Sequence, residues 1–494
     1  MRTTSFLRIG AVLVAILLLA TGCARGPAFH APPVAPSARV GVAQRADSTR
    51  AFFDSLAAAR AAERTRNDAP SPAVMAPNAL SDLAWIDIIN DTVLTALVRT
   101  AVAQNRDVAL ARARISEFRA LTGVARAPFF PRVSANANAG TNQAVFGAGP
   151  PIQFDAYRAT ADVAWELDFF GRIRHGVDAA NADLAAQQAG ERATVLSLVS
   201  DVALGYLQLL ELDEEYAIAS RTLASRRSTL ALAQERFSRG VVSELDVRQF
   251  EAQLAVPSAR IAQVERQRAQ QEHALNVLLG ESPMRIQRGD SLLATTRRVT
   301  VPDSLPATLL DRRPDVAQAE RTYAAAAARV GVALAARLPA VSIAAFYGTQ
   351  SSTASKLLGT GTNVYQLQAG ISVPLYTGGR QREEVAAARA RTDQTKAIYE
   401  RTALNALREA GDALVAVRTA RDEVTANETL TGALRRALEL SDLRYQSGVS
   451  SFLEVLDAQR GLFDAELTLS QSRLRELAAS VQLYKALGGS WMQR

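Results

Sequence analysis

The sequence is written twice, with a fixed spacing of 208 residues and no gap. Arg236, Phe237, Gly240, Val241, Ser243, Leu245, Asp246 and Val247 recur as Arg444, Tyr445, Gly448, Val449, Ser451, Leu453, Glu454 and Val455. The same spacing pairs Asp107 and Val108 with Asp315 and Val316, Gly171 and Arg172 with Gly379 and Arg380, and Leu279 and Gly280 with Leu487 and Gly488. Short-repeat solenoids recur every 20 to 50 residues, so this is a duplicated domain whose copies share one order of parts. In a chain of 494 residues that leaves two domains or one elongated architecture.

Each copy opens with an amphipathic helical stretch, Asp107 to Ala127 and Asp315 to Arg337, stopped by Pro131 and Pro339. Two strands joined by a polar loop follow. A long helical stretch then runs from Arg172 to Arg239 and from Arg380 to Ser447 with no proline in either. At 1.5 Å per residue each is roughly 100 Å long and needs partners along its whole length. Turns at Gly240 and Gly448 reverse the chain into second helices ending at Gly280 and Gly488. Leu474, Leu477, Val481 and Tyr484 form a heptad seam in the last of these. Pro257 interrupts the first return helix where the second copy has Ala465, so the copies are expected to differ there by a kink.

The strands alternate with period two. Tyr157, Ala159, Ala161, Val163, Trp165 and Leu167 fall on one face, and Tyr365, Leu367, Ala369, Ile371 and Val373 repeat the pattern. Val133, Ala135, Ala137 and Ala139 form a shallower version. Such segments, bordered by Phe129, Phe130, Phe169, Phe170 and Tyr376, fit lipid-facing strands with aromatic girdles. A soluble half-buried sheet gives the same alternation. Four strands do not close a membrane barrel, and lipid does not tolerate open edges, so a membrane reading requires several chains to share one barrel.

The formal net charge is +7, but basic and acidic residues alternate along the helices, which points to a solvated, ion-paired surface and away from nucleic acid. Arg2 and Arg8 precede an apolar run from Ile9 to Ala20, too short for a bilayer core that needs about 20 residues. Ala20, Thr21 and Gly22 then lead to Cys23, which is the only cysteine, so no intramolecular disulfide is possible. An ordinary signal peptide with an incidental cysteine would look similar. The segment resembles a bacterial lipobox, and the resemblance implies cleavage after residue 22 and a covalent lipid on Cys23. Ala24 implies outer-membrane sorting by the same rule. Pro32, Pro33 and Pro36 extend the leader, and an Ala- and Arg-rich stretch from Arg50 to Arg66 follows.

Arg312, Arg313, Pro314, Asp315 and Val316, the run Pro374 to Arg380, and the stretch Arg444 to Arg460 together resemble the outer-membrane efflux protein family of the TolC and OprM type, in its NodT-like lipoprotein branch. The resemblance implies a mainly α protein with membrane β: a duplicated unit forming a trimeric 12-stranded β-barrel on a long periplasmic α-helical barrel. It divides the chain into a signal peptide at 1–22, an anchor and leader at 23–80, a first repeat at 81–282, an equatorial linker at 283–303 and a second repeat at 304–494, with an equatorial belt formed by Ser282 to Leu310 and the chain ends. It implies no cofactor beyond the Cys23 lipid. As partners it implies two further copies of the chain, a periplasmic adaptor, and an inner-membrane pump of RND rather than ABC type.

Residue by residue, the resemblance places adaptor-docking tips at Arg239, Gly240 and Val241 and at Ser447, Gly448 and Val449. It places a gate at Leu453, Glu454, Asp457 and Arg460. In a threefold trimer each acid becomes a ring of like charges that favours cations. Asp246 and Tyr445 match a gate lock whose basic member falls at Ser450 here. For each of these charges a solvated helix face is the competing reading. His30, His175 and His273 lack metal-ligand spacing and no glycine-rich phosphate loop follows a strand, so no enzymatic activity is expected. The reading is therefore an exit duct for small compounds. A type I protein-secretion duct and a periplasmic coiled-coil scaffold lipoprotein are the competing functions.

Overall fold

A computed structural model describes residues 39–41, 91–145, 149–289, 304–306, 312–447, 449–450 and 452–489. The signal segment, Cys23, His30, nearly all of the leader, Gly448 and most of the linker lie outside the described residues. In chain order the elements are β1 (Arg39–Gly41), α1 (Thr92–Gln104), α2 (Arg106–Arg126), β2 (Arg132–Ala144), β3 (Ile152–Leu167), α3 (Arg172–Ser238), α4 (Glu244–Leu279), β4 (Ser304–Pro306), α5 (Pro314–Ala335), β5 (Ala340–Ser351), β6 (Asn363–Ser372), α6 (Arg380–Gln446) and α7 (Phe452–Ala486). The chain divides into two compact units, and each is assembled from both sequence copies.

The first unit holds residues 113–189 and 317–401 and is built around one antiparallel sheet ordered β2, β3, β5, β6. Each copy contributes a hairpin, and β3 pairs with β5 across the duplication. The register aligns the two faces strand by strand. Val133, Val163, Ala345 and Leu367 stand opposite one another, as do Ala135, Ala161, Tyr347 and Tyr365. The other face presents Ser134, Asp162, Phe346 and Gln366 in one row, with Asn136 donating to Asp162 at 2.8 Å. Among the described residues much of the apolar face is left open: Tyr347, Tyr365 and Leu367 are 62%, 79% and 77% exposed. Gly348 has no room for a side chain, since a Cβ there would lie 2.0 Å from the Ala159 carbonyl oxygen. Among the described residues β2 and β6 are unpaired along their outer edges. Glu166 receives the Arg172 guanidinium through two bonds of 2.9 and 2.7 Å where β3 hands over to α3, and Asp168 accepts from the Ile173 and Arg174 backbone N–H groups.

The described residues of the second unit lie within 91–112, 190–316 and 402–489, together with 39–41. α3 is the one helix among the described residues long and apolar enough to cross a membrane. Its apolar stretch instead forms the core here: Val195, Val199, Val202, Tyr206, Leu207 and Leu209 are buried against Leu94 and Val98 of α1, Leu275 and Leu279 of α4, and Leu477, Val481 and Tyr484 of α7. The heptad seam read in the sequence thus faces the core, where each large apolar side chain contributes roughly 1.5–3 kcal/mol by leaving water. Tyr206 donates its hydroxyl to Asp91 at 3.0 Å and accepts the Gly289 N–H at 2.8 Å, while Asp91 caps α1.

The duplication persists in detail through different chemistry. Asn105 donates its side-chain amide to the Leu278 carbonyl at 2.9 Å. At the equivalent position Arg313 donates to the Ala486 carbonyl at 3.0 Å, its charge held by Asp315 and Glu409 at 2.8 and 2.7 Å. Both residues tie the end of a return helix to the start of the copy.

α4 is one continuous helix through Pro257. A proline removes the N–H that would bond the carbonyl four residues earlier, here that of Gln253. The Arg226 guanidinium of α3 donates to that carbonyl at 2.7 Å, so the lost bond is replaced from outside the helix.

Candidate functional site at the hairpin tips

α3 ends in a Schellman turn: Val241 N–H bonds the Arg236 carbonyl at 2.9 Å and Gly240 N–H bonds Phe237 at 2.8 Å. Gly240 sits at φ +72°, a left-handed conformation that side chains with a Cβ resist. At the second tip Val449 N–H makes the equivalent 2.9 Å bond to Arg444, and Ser447 turns its hydroxyl onto the Leu443 and Arg444 carbonyls. Val241 and Val449 are 68% and 71% exposed, and Arg239 reaches back to Glu235. Each tip thus offers a close-approach turn with an exposed valine.

Ser243 starts α4 with a capping box. Its hydroxyl accepts the Asp246 N–H at 3.3 Å, and the Asp246 carboxylate accepts the Ser243 N–H at 3.0 Å and its hydroxyl at 2.8 Å. The carboxylate proposed for a gate lock is therefore engaged in starting its own helix. Tyr445, the other lock residue, lies with its ring under the Arg236 guanidinium at 5.1 Å.

The first turns of α7 separate two faces. Val455 and Leu456 are buried in a cluster with Ala233 of α3 and Phe250 of α4, against which Leu438 and Tyr445 of α6 pack. Leu453, Glu454, Asp457 and Arg460 are all exposed on the other side. The positions the sequence singled out as a gate thus share the surface left over once the four helices have packed. Glu454 lies 3.6 Å from Arg444 of α6, a partly exposed pair that offsets part of its charge. Asp457 makes no ion pair among the described residues.

Sequence reasoning missed the contacts of Arg236 and Arg444, although these occupy equivalent places in the repeat. Only the pairing of the two copies reveals that Arg236 stacks on the residue following Arg444. It also missed Arg226 and a buried acidic pair. Glu211 and Glu215 of α3 are each 2% exposed, with Arg260 donating to both Glu215 oxygens at 2.7 Å and Gln208 to Glu211 at 3.1 Å. Burial first, and the neighbouring Glu215 second, push the Glu211 carboxyl up to about 8. No group of three metal-binding side chains occurs among the described residues.

Residues 97–281 and 305–489 each match the family described as outer membrane efflux protein, in the same 208-residue register as the internal repeat. The chain belongs to the outer membrane efflux protein family. A curated relative in this family, the toluene efflux pump outer membrane protein TtgC of Pseudomonas putida, is 33% identical over 441 residues, covering 88% of this chain and 90% of its own. A membrane protein of Pseudomonas aeruginosa superposes with a TM-score of 0.82 at 29% identity, covering 94% of this chain and all of that one. The open state of the MtrE outer membrane channel of Neisseria gonorrhoeae gives 0.80 at 26%, covering 95% and 99%. The fold is thus that of the TolC-type channels, a helical assembly joined to a β domain.

Proposed function

We propose that this protein is the outer-membrane exit duct of a tripartite efflux pump, exporting small toxic compounds across the periplasm and outer membrane. The observation that carries this reading is the four-stranded sheet, which among the described residues is apolar and largely open on one face, polar on the other and unpaired at both edges. Three such sheets joined edge to edge leave no open edge, face lipid outward and enclose a wet lumen. A homotrimer, each chain anchored by lipid on Cys23, completes this reading. A periplasmic adaptor docks at the Val241 and Val449 tips. An inner-membrane pump, RND-type in preference to ABC-type, supplies the energy. The family relationship supports an outer-membrane channel rather than an enzyme, and the TtgC relative is named for toluene efflux.

In this reading the exposed face of α7 forms the constriction. Purified protein should behave as a trimer and conduct ions in planar bilayers, and replacing Glu454 and Asp457 with alanine together should change conductance or weaken cation preference. A monomer without conductance would refute the duct. A conducting trimer indifferent to both replacements would remove these residues from the gate.

A further inference from the structure

The two copies of the repeat differ at one buried junction behind the α7 face just described. In the first copy Arg226 of α3, 3% exposed, donates to the Gln253 carbonyl that Pro257 leaves without a helical partner. In the second copy the equivalent positions are Leu434, Gly461 and Ala465. There Leu434 lies 3.4 Å from where a Gly461 Cβ would be, an apolar contact against a helix that keeps its own hydrogen bond. The cation and the proline are therefore present together in one copy and absent together in the other.

Arg226 does more than satisfy a carbonyl. Its guanidinium lies over the Phe463 ring of α7 at 5.4 Å, within cation–π range. Phe463 is buried with Ile218 and Ala219 of α3, and it sits one turn after Arg460, the last residue of the exposed face. Burial, and after it the like charge of Arg460, weaken the hold of Arg226 on its proton, while Asp464 of α7 strengthens it. The two cations therefore repel across the α3–α7 contact, which favours the outward orientation seen for Arg460.

We propose that Arg226 is a positioning residue for the constriction: by joining the free Gln253 carbonyl of α4 to the Phe463 ring of α7, it fixes where the turn bearing Arg460 stands and sets how far the resting pore is open. The inference rests on the reading of the α7 face as the constriction.

The test compares single-channel conductance and thermal unfolding of the trimer for the native protein, Arg226→Met, Arg226→Lys, Pro257→Ala, the Arg226→Met/Pro257→Ala double variant, and Glu454→Ala/Asp457→Ala. Arg226→Met should unfold at lower temperature and raise resting conductance several-fold, with Arg226→Lys intermediate. Adding Pro257→Ala gives Gln253 a backbone donor again, so the double variant should regain thermal stability while staying leaky, because Phe463 and Arg460 still lack the guanidinium. Conductance that returns along with stability would overturn the proposal, leaving Arg226 a mere substitute donor. Native conductance in Arg226→Met would overturn it as well. Where Arg226→Met does not assemble, native conductance in the double and lysine variants has the same consequence. The Glu454→Ala/Asp457→Ala arm separates the two claims: native conductance there removes those two acids from the constriction whatever Arg226 does. A change there with unaltered Arg226 variants refutes only the positioning role.

Discussion

Among the described residues Glu211 makes no ion pair: Arg260 spends its bonds on Glu215 and only weakly opposes the burial that raises Glu211. Its pKa in the folded protein lies above that of the unfolded chain, so folding takes up a proton between the ordinary carboxylate range and about 8. The stability it contributes is complete below that range and is lost as pH rises through about 8. Glu211→Gln keeps the neutral form at every pH. Its unfolding temperature should therefore fall less than that of the native protein between pH 6 and 9, and parallel pH profiles would show that Glu211 does not titrate there. In the sheet, Gly348→Ala forces a methyl group onto the Ala159 carbonyl and should separate β3 from β5, seen as loss of trimer from outer-membrane fractions; normal assembly would show that the strands yield at little cost. Neither residue was legible in the sequence. Thr419 occupies the place of Glu211 in the second copy, so the repeat gives no hint of the acid, and a glycine in a polar loop-like context says nothing about which backbone passes over it.

Elements were far more legible than residues, because period and punctuation are local properties. The stretch read from Arg172 to Arg239 is the helix Arg172–Ser238, and the one read from Arg380 to Ser447 is Arg380–Gln446. What satisfies the helix at Pro257 was not legible, for a non-local reason: the donor to the Gln253 carbonyl is 27 positions from Gln253 on another helix, and no property of α4 announces it. Capping, by contrast, belongs to the element itself. Ser243→Ala removes the hydroxyl half of the box and should cost about 1 kcal/mol, which hydrogen exchange would detect as faster opening of the first turn of α4. Unchanged protection would mean that tertiary packing alone holds that turn. The same box explains why Asp246 was difficult to interpret from a motif: a carboxylate in that place serves the helix start before it serves any neighbour.

At the scale of the molecule the two faces of the sheet make opposite demands. Arginine at Leu367, in the apolar row with Val133, Val163 and Ala345, should cost roughly 2–4 kcal/mol near the bilayer midplane and deplete assembled protein. Arginine at the adjacent Gln366, on the polar face, should be tolerated. Equal yields of the two variants from outer-membrane fractions would mean that neither face meets lipid. The sequence displayed this alternation plainly but left open whether it faced lipid or a soluble core. The register lines up the apolar rows of four strands from both copies, and Tyr347, Tyr365 and Leu367 in those rows are exposed among the described residues.

The unpaired outer edges of β2 and β6 bear on how such a protein is made. If the proposed trimer is right, a lone newly exported chain has nothing in hydrocarbon to satisfy those rows of backbone groups and has to meet two siblings before or during entry into the bilayer. Biogenesis then depends steeply on the dose of the gene, and a copy with one spoiled edge would poison the particles it joins, making edge-strand alleles dominant over a normal copy in the same cell.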